Sequence, residues 1–313
     1  MATRAPSPPR SAIAGKRGLL SRRHLLAAGA AACLPTGAGA QEQGPRIVSM
    51  DLPFTEMVLA LGLEPAAIAN VQLYRRLVGI PPAPPNAVDL GPLTEPNLEL
   101  LQYLRPDLIL AASWQASALA AIERIAPVHW LPTFSREQKP LDFTRELLTR
   151  VAALAQREKQ AEVLRHEADI AITQASTGLR AHADRPVYLL RFAEDGRRSA
   201  IFGPSSLVGD VLARAGLRNA FTGRTNVWGT ASIGIERLVE TPDALIIHFE
   251  RGAETIRAMG RLVESPIWNA LPAVRARRVL GMPVIHPNGA IVSATRFARQ
   301  LLAAIADVAP GHG

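Results

Sequence analysis

Two tryptophans stand where a ligand could meet them. Trp114 follows the apolar run Leu108-Ile109-Leu110-Ala111-Ala112, which reads as a strand, and its neighbours Ser113 and Gln115 argue for a partly wet position. In open α/β sheets, residues just past the strand ends face the ligand. Trp228 lies in the polar stretch Thr225-Asn226-Val227-Trp228-Gly229-Thr230, between a glycine-marked turn and a helix, an unusual place for a purely structural indole. Arg191 ends the run Val187-Tyr188-Leu189-Leu190 and carries a fork of donors suited to oxygen ligands. Its competing role is a surface salt bridge with Glu194 or Asp195. For both indoles the alternative is core packing, and that is the better account of Trp130 and Trp268, which sit among prolines and apolar residues. Ring faces and guanidinium donors hold a ligand without making or breaking its bonds.

Other chemistries find little support. The stretch Gly203-Pro204-Ser205-Ser206-Leu207 is not the Gly-x-Ser-x-Gly elbow that presents an activated serine, so hydrolysis is a remote reading and no enzyme is expected. His129, His166, His182, His248 and His286 show no paired metal-ligand spacing. Cys33 is the single cysteine and falls in the N-terminal leader, leaving neither disulfide nor thiolate site in the remainder.

The elements that must position these residues follow one grammar. Arg46 to Met50 reads as a strand, Thr55 to Leu61 as a helix stopped at Gly62, and Thr94 to Leu98 as the capped start of a helix ending at Pro106-Asp107 before the next strand. Between them, Pro81 to Pro85 holds four prolines and excludes regular structure. The second half repeats the pattern: strand Val187 to Leu190, helix Leu207 to Ala215 stopped by Gly216, helix Ile235 to Glu240, and strand Ala244 to Ile247. Residues 140–180 are rich in helix formers and lack strand signals, with an interruption at Gln156-Arg157. The expectation is α/β: two Rossmann-like lobes, 41–156 and 183–313, joined by one long helix over 157–182, with a ligand cleft between them. Two ordinary core helices of one domain are the alternative for the linking segment.

The net charge of +8 would invite a nucleic-acid reading, but six of the 35 basic residues lie in residues 1–40, which contain no Asp or Glu. Removing that segment leaves 29 basic against 27 acidic residues, so no nucleic-acid partner is expected. The segment reads as an export signal: Ser21-Arg22-Arg23-His24-Leu25-Leu26 resembles the twin-arginine motif, and Ala38-Gly39-Ala40 is a small-residue cleavage site. Its apolar run is too short for a membrane span. Export by the twin-arginine machinery to the periplasm is expected, with cleavage after Ala40.

Val88-Asp89-Leu90-Gly91, followed by Thr94-Glu95-Pro96-Asn97-Leu98-Glu99-Leu100, resembles the first-lobe motif of iron(III)-hydroxamate-binding proteins of ABC importers. Phe202-Gly203-Pro204-Ser205-Ser206-Leu207, Thr225 to Gly229, Ser265-Pro266-Ile267-Trp268, Gly289-Ala290 and Ser293-Ala294 are similar, in the same order, to that family's second-lobe segments. The resemblance implies a monomeric periplasmic protein that binds a ferric siderophore and delivers it to an inner-membrane permease. It implies no cofactor and no protein metal site, because the siderophore itself holds the iron. The family's cleft arginine and tyrosine are replaced here by Leu93 and Trp114. The resemblance adds Tyr74, Arg75, His286 and Asn288 to Trp114, Trp228 and Arg191 as ligand-site candidates, and gives Glu236 the position of a permease-docking acid. A lone histidine is more often structural, and capping or solvent-facing roles compete for Tyr74 and Arg75. Cobalamin, haem or another siderophore class are the alternative ligands, and an exported protein that binds a partner without a small ligand is the third reading.

Overall fold

The computed structural model describes residues 44–135, 137–306 and 308; the expected export leader, with Cys33, lies outside them. Four parallel strands, β1 (Ile47–Ser49), β2 (Ala67–Ile68), β3 (Leu108–Ala112) and β4 (Val128–Leu131), form the first sheet in the order β2-β1-β3-β4. The second sheet contains β5 (Pro186–Phe192), β6 (Arg198–Phe202), β7 (Arg218–Asn219), β8 (Thr230–Gly234), β9 (Leu245–Glu250) and β10 (Val279–Pro283). Its order is β10-β9-β5-β6-β8, with β7 beside β5, and β6 runs antiparallel to both of its neighbours. The two sheets are the centres of two α/β lobes.

Apolar runs become central strands because both faces of each sheet are covered. Leu108, Leu110 and Ala112 enter one apolar cluster, while Ile109 and Ala111 enter another on the opposite face. In the second sheet, Val187 and Leu189 face one cluster and Tyr188, Leu190 and Phe192 face the other. The strands β6 and β8 were not legible as such: both are short and half polar, and they form only because Ala193–Arg198 turns back on β5, with Gly196 at φ +63°.

Helix boundaries follow local capping. Asp51 caps the helix Leu52–Ala60, Asn97 caps Leu98–Leu104, and Ser206 caps Leu207–Arg214, each accepting a backbone N–H. The expected interruption at Gln156-Arg157 falls between the helix Pro140–Ala155 and the 21-residue helix Glu158–Gly178, where Gln156 adopts φ +56°. Ile235–Glu240 forms a 3₁₀ turn rather than an α-helix. The C-terminal helix, Ile291–Ile305, packs along Glu158–Gly178.

Candidate functional site in the cleft between the lobes

The first-lobe wall is set by a carboxylate at the end of β1. Asp51 Oδ1 accepts the Leu52 N–H (2.8 Å) that starts the following helix, and Oδ2 accepts the Trp114 indole N–H at 2.9 Å. Burial pushes the Asp51 carboxyl above the ordinary carboxylate range, against the lowering effect of these two donors. Trp114 is thereby held 41% exposed, and its N–H is already committed, so only the ring face is left to offer a ligand.

Gln115 is not a sign of wetness; it is fully buried. Its side-chain oxygen accepts from the Ala112 N–H (2.8 Å), and its amide donates to the carbonyls of Met50 (2.9 Å) and Leu93 (2.7 Å). This fixes the Leu93 segment against the ends of β1 and β3, and Leu93 lines the cleft.

On the second lobe, Asn226 Oδ1 accepts the N–H groups of Trp228 and Thr230, both at 3.0 Å, folding the loop into a tight turn. Gly229 closes it at φ +72°; a Cβ there would lie 2.2 Å from the Ser206 nitrogen. Trp228 is 39% exposed and its ring meets Phe134 edge to face, with centroids 5.8 Å apart. With its amide nitrogen turned toward them, Asn288 donates to the carbonyls of Trp228 (2.9 Å) and Pro287 (3.1 Å).

Trp114, Trp228, His286 and Asn288 line one cleft of about 280 Å³ together with Asp51, Leu77 and Leu93. A side cavity of about 130 Å³ shares Leu77, His286 and Asn288 with it and is walled by Arg191 and Arg251. The Arg191 side chain makes no hydrogen bond or ion pair among the described residues. The salt-bridge alternative fails because Glu194 is held by Arg257 (2.9 and 3.0 Å) and Asp195 accepts the backbone N–H groups of Arg197 and Arg198. Burial, and then the positive charge of Arg191, push His286 down to about 4, so its ring is neutral at physiological pH.

Tyr74 and Arg75 are corrections. They lie in the helix Val71–Leu77 rather than in a loop, and Tyr74 is fully buried, donating its hydroxyl to the Pro81 carbonyl at 2.6 Å. The Arg75 guanidinium donates to the carbonyls of Pro84 (2.9 Å) and Pro85 (3.3 Å). Both hold the proline loop, whose carbonyls have no helix or sheet partner to use; Leu73 and Leu77 of the same helix line the cleft instead. Glu236 lies outside the cleft, exposed in a groove of about 580 Å³ with Arg197, Arg261 and Glu264. Trp268 is buried edge-on to Phe192, while Trp130 is half-buried and donates to Glu123 at 2.7 Å. Sequence reasoning missed Phe134 and Arg251, though each follows a strand end, the signal that singled out Trp114.

A family model described as periplasmic binding protein matches residues 47–284, most of the chain. The chain belongs to that family. Among curated proteins, it is 34% identical to the iron(3+)-hydroxamate-binding protein FhuD of Escherichia coli K12, over 90% of this chain and 96% of that protein. It is 26% identical to the Fe(3+)-citrate-binding protein YfmC of Bacillus subtilis, over 75% of this chain and 71% of that protein. Among solved structures, the siderophore-binding protein FhuD of Vibrio cholerae bound to Fe3+-Desferal superposes with a TM-score of 0.77 at 28% identity, covering 85% of this chain and 99% of that one.

Proposed function

We propose that this periplasmic binding protein captures an iron(III)-siderophore of the hydroxamate type between its lobes and delivers it to the permease of an ABC importer. One observation carries the reading: two half-exposed indoles, Trp114 and Trp228, one from each lobe, line a single cleft. Its likeness to two FhuD proteins over nearly the whole mature chain supports the ligand class. A ferric trihydroxamate is a broad, nearly neutral object, and ring faces bind it through dispersion and desolvation rather than charge. The iron is cargo, held by the siderophore oxygens. Arg191, His286 and Asn288 supply the polar contacts from the second lobe.

The chain reaches its ligand after twin-arginine export and cleavage near Ala40, and works as a monomer with a first lobe over 41–156, a linking helix over 157–182 and a second lobe over 183–313. Glu236, exposed and outside the cleft, is the docking acid that meets the permease; replacing it with arginine reduces uptake while soluble binding persists, and equal losses in both would remove that role. The function itself is tested by following tryptophan emission of the mature protein during titration with ferrioxamine B, ferric citrate, cobalamin and haem. Saturable quenching strongest with ferrioxamine B is expected. Quenching by cobalamin or haem alone, or by none of the four, overturns the reading.

A further inference from the structure

The side cavity carries an excess of positive charge that packing does not explain. Arg191 and Arg251 both wall it, and Arg76 from the first lobe lies close enough to repel them. These three guanidiniums share one carboxylate, Glu254, which bonds Arg251 and, at 3.5 Å, Arg76. Glu254 attracts Arg191 without a direct contact, which leaves Arg191 with no ion pair of its own among the described residues. Nearby Glu194 is occupied by Arg257. Two polar atoms of residues that line the cavity, Arg251 Nε and His286 Nδ1, are buried without a hydrogen-bond partner among the described residues. A buried donor or charge left unpaired costs free energy, and such groups ordinarily find partners. Burial and the neighbouring arginines act together against the charge on Arg191, which an anion would relieve.

We infer that this cavity is an anion subsite, built from Arg191 and Arg251, which takes a pendant carboxylate on the ferric hydroxamate. The inference rests on the proposed function and refines it. A volume of about 130 Å³ holds a short carboxylate arm but not a ferric trihydroxamate, whose core stays in the adjoining cleft against Trp114 and Trp228. The shared residues Leu77, His286 and Asn288 make the two spaces neighbours, within the reach of a short arm leaving the core. Neutral His286 adds an orienting hydrogen bond without adding charge.

Three derivatives of one core separate the subsite from the cleft: ferrioxamine B, with a pendant ammonium, its N-acetyl form, which is neutral, and its N-succinyl form, which ends in a carboxylate. The wild-type protein is expected to bind the succinyl form about tenfold or more tightly than the acetyl form, and the ammonium form most weakly, as charge-assisted bonds require. This ratio should shrink between about 50 and 500 mM NaCl. In Arg191→Gln, and separately in Arg251→Gln, it should fall toward one, with an unchanged circular-dichroism spectrum and melting temperature showing that the variants are folded. Equal wild-type affinities for all three, or a ratio unchanged in both variants, overturns the subsite while leaving the function standing. No binding of any of the three overturns the hydroxamate reading and the subsite with it.

Discussion

At the scale of single residues, the Asp51–Trp114 hydrogen bond decides what Trp114 can do. The indole N–H is spent on a buried carboxylate at 2.9 Å, so the residue has its ring and not a donor to offer a ligand. Phenylalanine keeps most of a ring face but removes the bond to Asp51, whereas alanine removes both. Trp114→Ala is therefore expected to weaken ferrioxamine B binding about tenfold or more, and Trp114→Phe only about threefold or less, from aromatic contact energies of ~0.5–1.5 kcal/mol beyond area burial. Isothermal titration of the two variants checks this. Equal losses would mean that the N–H, or the Asp51 contact it makes, matters more than the ring. Leu93 fits the same picture: its side chain lines the first-lobe wall without a polar atom, and Gln115 holds its carbonyl away from the ligand at 2.7 Å.

At the scale of elements, the segment joining β10 to the C-terminal helix presents His286 and Asn288, and it is tied down from both lobes. Buried Glu56, in the helix Leu52–Ala60, accepts the N–H groups of Ala290 (3.1 Å) and Ser293 (2.7 Å) and the Ser293 hydroxyl (2.6 Å) at the start of Ile291–Ile305. Arg296 donates to the carbonyls of Val78 (2.9 Å) and Val284 (3.2 Å). Gly289 is needed beneath this carboxylate, since a Cβ there would lie 2.8 Å from Glu56 Oε2. The His286 ring, held at about 4 against an ordinary 6.5, makes folding depend on pH. Between those values the unfolded chain binds the extra proton, so stability is intact above about 6.5 and declines as pH falls toward 4, by at most roughly 3 kcal/mol. Asp51 and Glu56, raised by burial, act in the opposite sense, losing stability as pH rises through their folded values. They are common to wild type and His286→Gln, so the difference between the two melting-temperature profiles isolates the histidine. The variant is expected to lose less stability from pH 6.5 to 4; parallel profiles would show that His286 is not held neutral. The strands Leu108–Ala112 and Val187–Leu190 and the exposed indoles were legible because apolar runs and strand ends are local signals. Glu56 with Ser293, Gln115 with Leu93 and Tyr74 with Pro81 were not, because whether a polar side chain is buried depends on partners that folding brings from elsewhere in the chain.

At the scale of the whole molecule, each lobe has an apolar cluster of its own on the outer face of its sheet, but the two share the cluster between the sheets. A single apolar cluster runs from Ile47 and Leu110 of the first sheet, through Phe54, Leu148, Val151, Ala168 and Ala175, to Phe297, Leu189 and Ile247 on the second. The helices Pro140–Ala155, Glu158–Gly178 and Ile291–Ile305 pack on one another within it. Lobes joined by a thin linker move and unfold independently, but a large apolar interface removes that freedom, so the cleft is held near its binding geometry before a ligand arrives. The repeated strand-and-helix pattern made two lobes legible in the sequence, whereas their fusion was not, because it lies in which faces of five helices meet. Phe297 tests the fusion: it is fully buried in the C-terminal helix and packs against Phe249 of β9 with ring centroids 6.0 Å apart. Phe297→Ala is expected to cost about 3–5 kcal/mol through lost contact and the cavity it leaves. Because the cluster is shared, that cost should appear equally in the hydrogen exchange of β3 amides in the first sheet and β9 amides in the second, with one cooperative thermal transition retained. Faster exchange in β9 with β3 unchanged, or a melting curve that splits in two, would show that the lobes are energetically separate and that the shared cluster does not couple them.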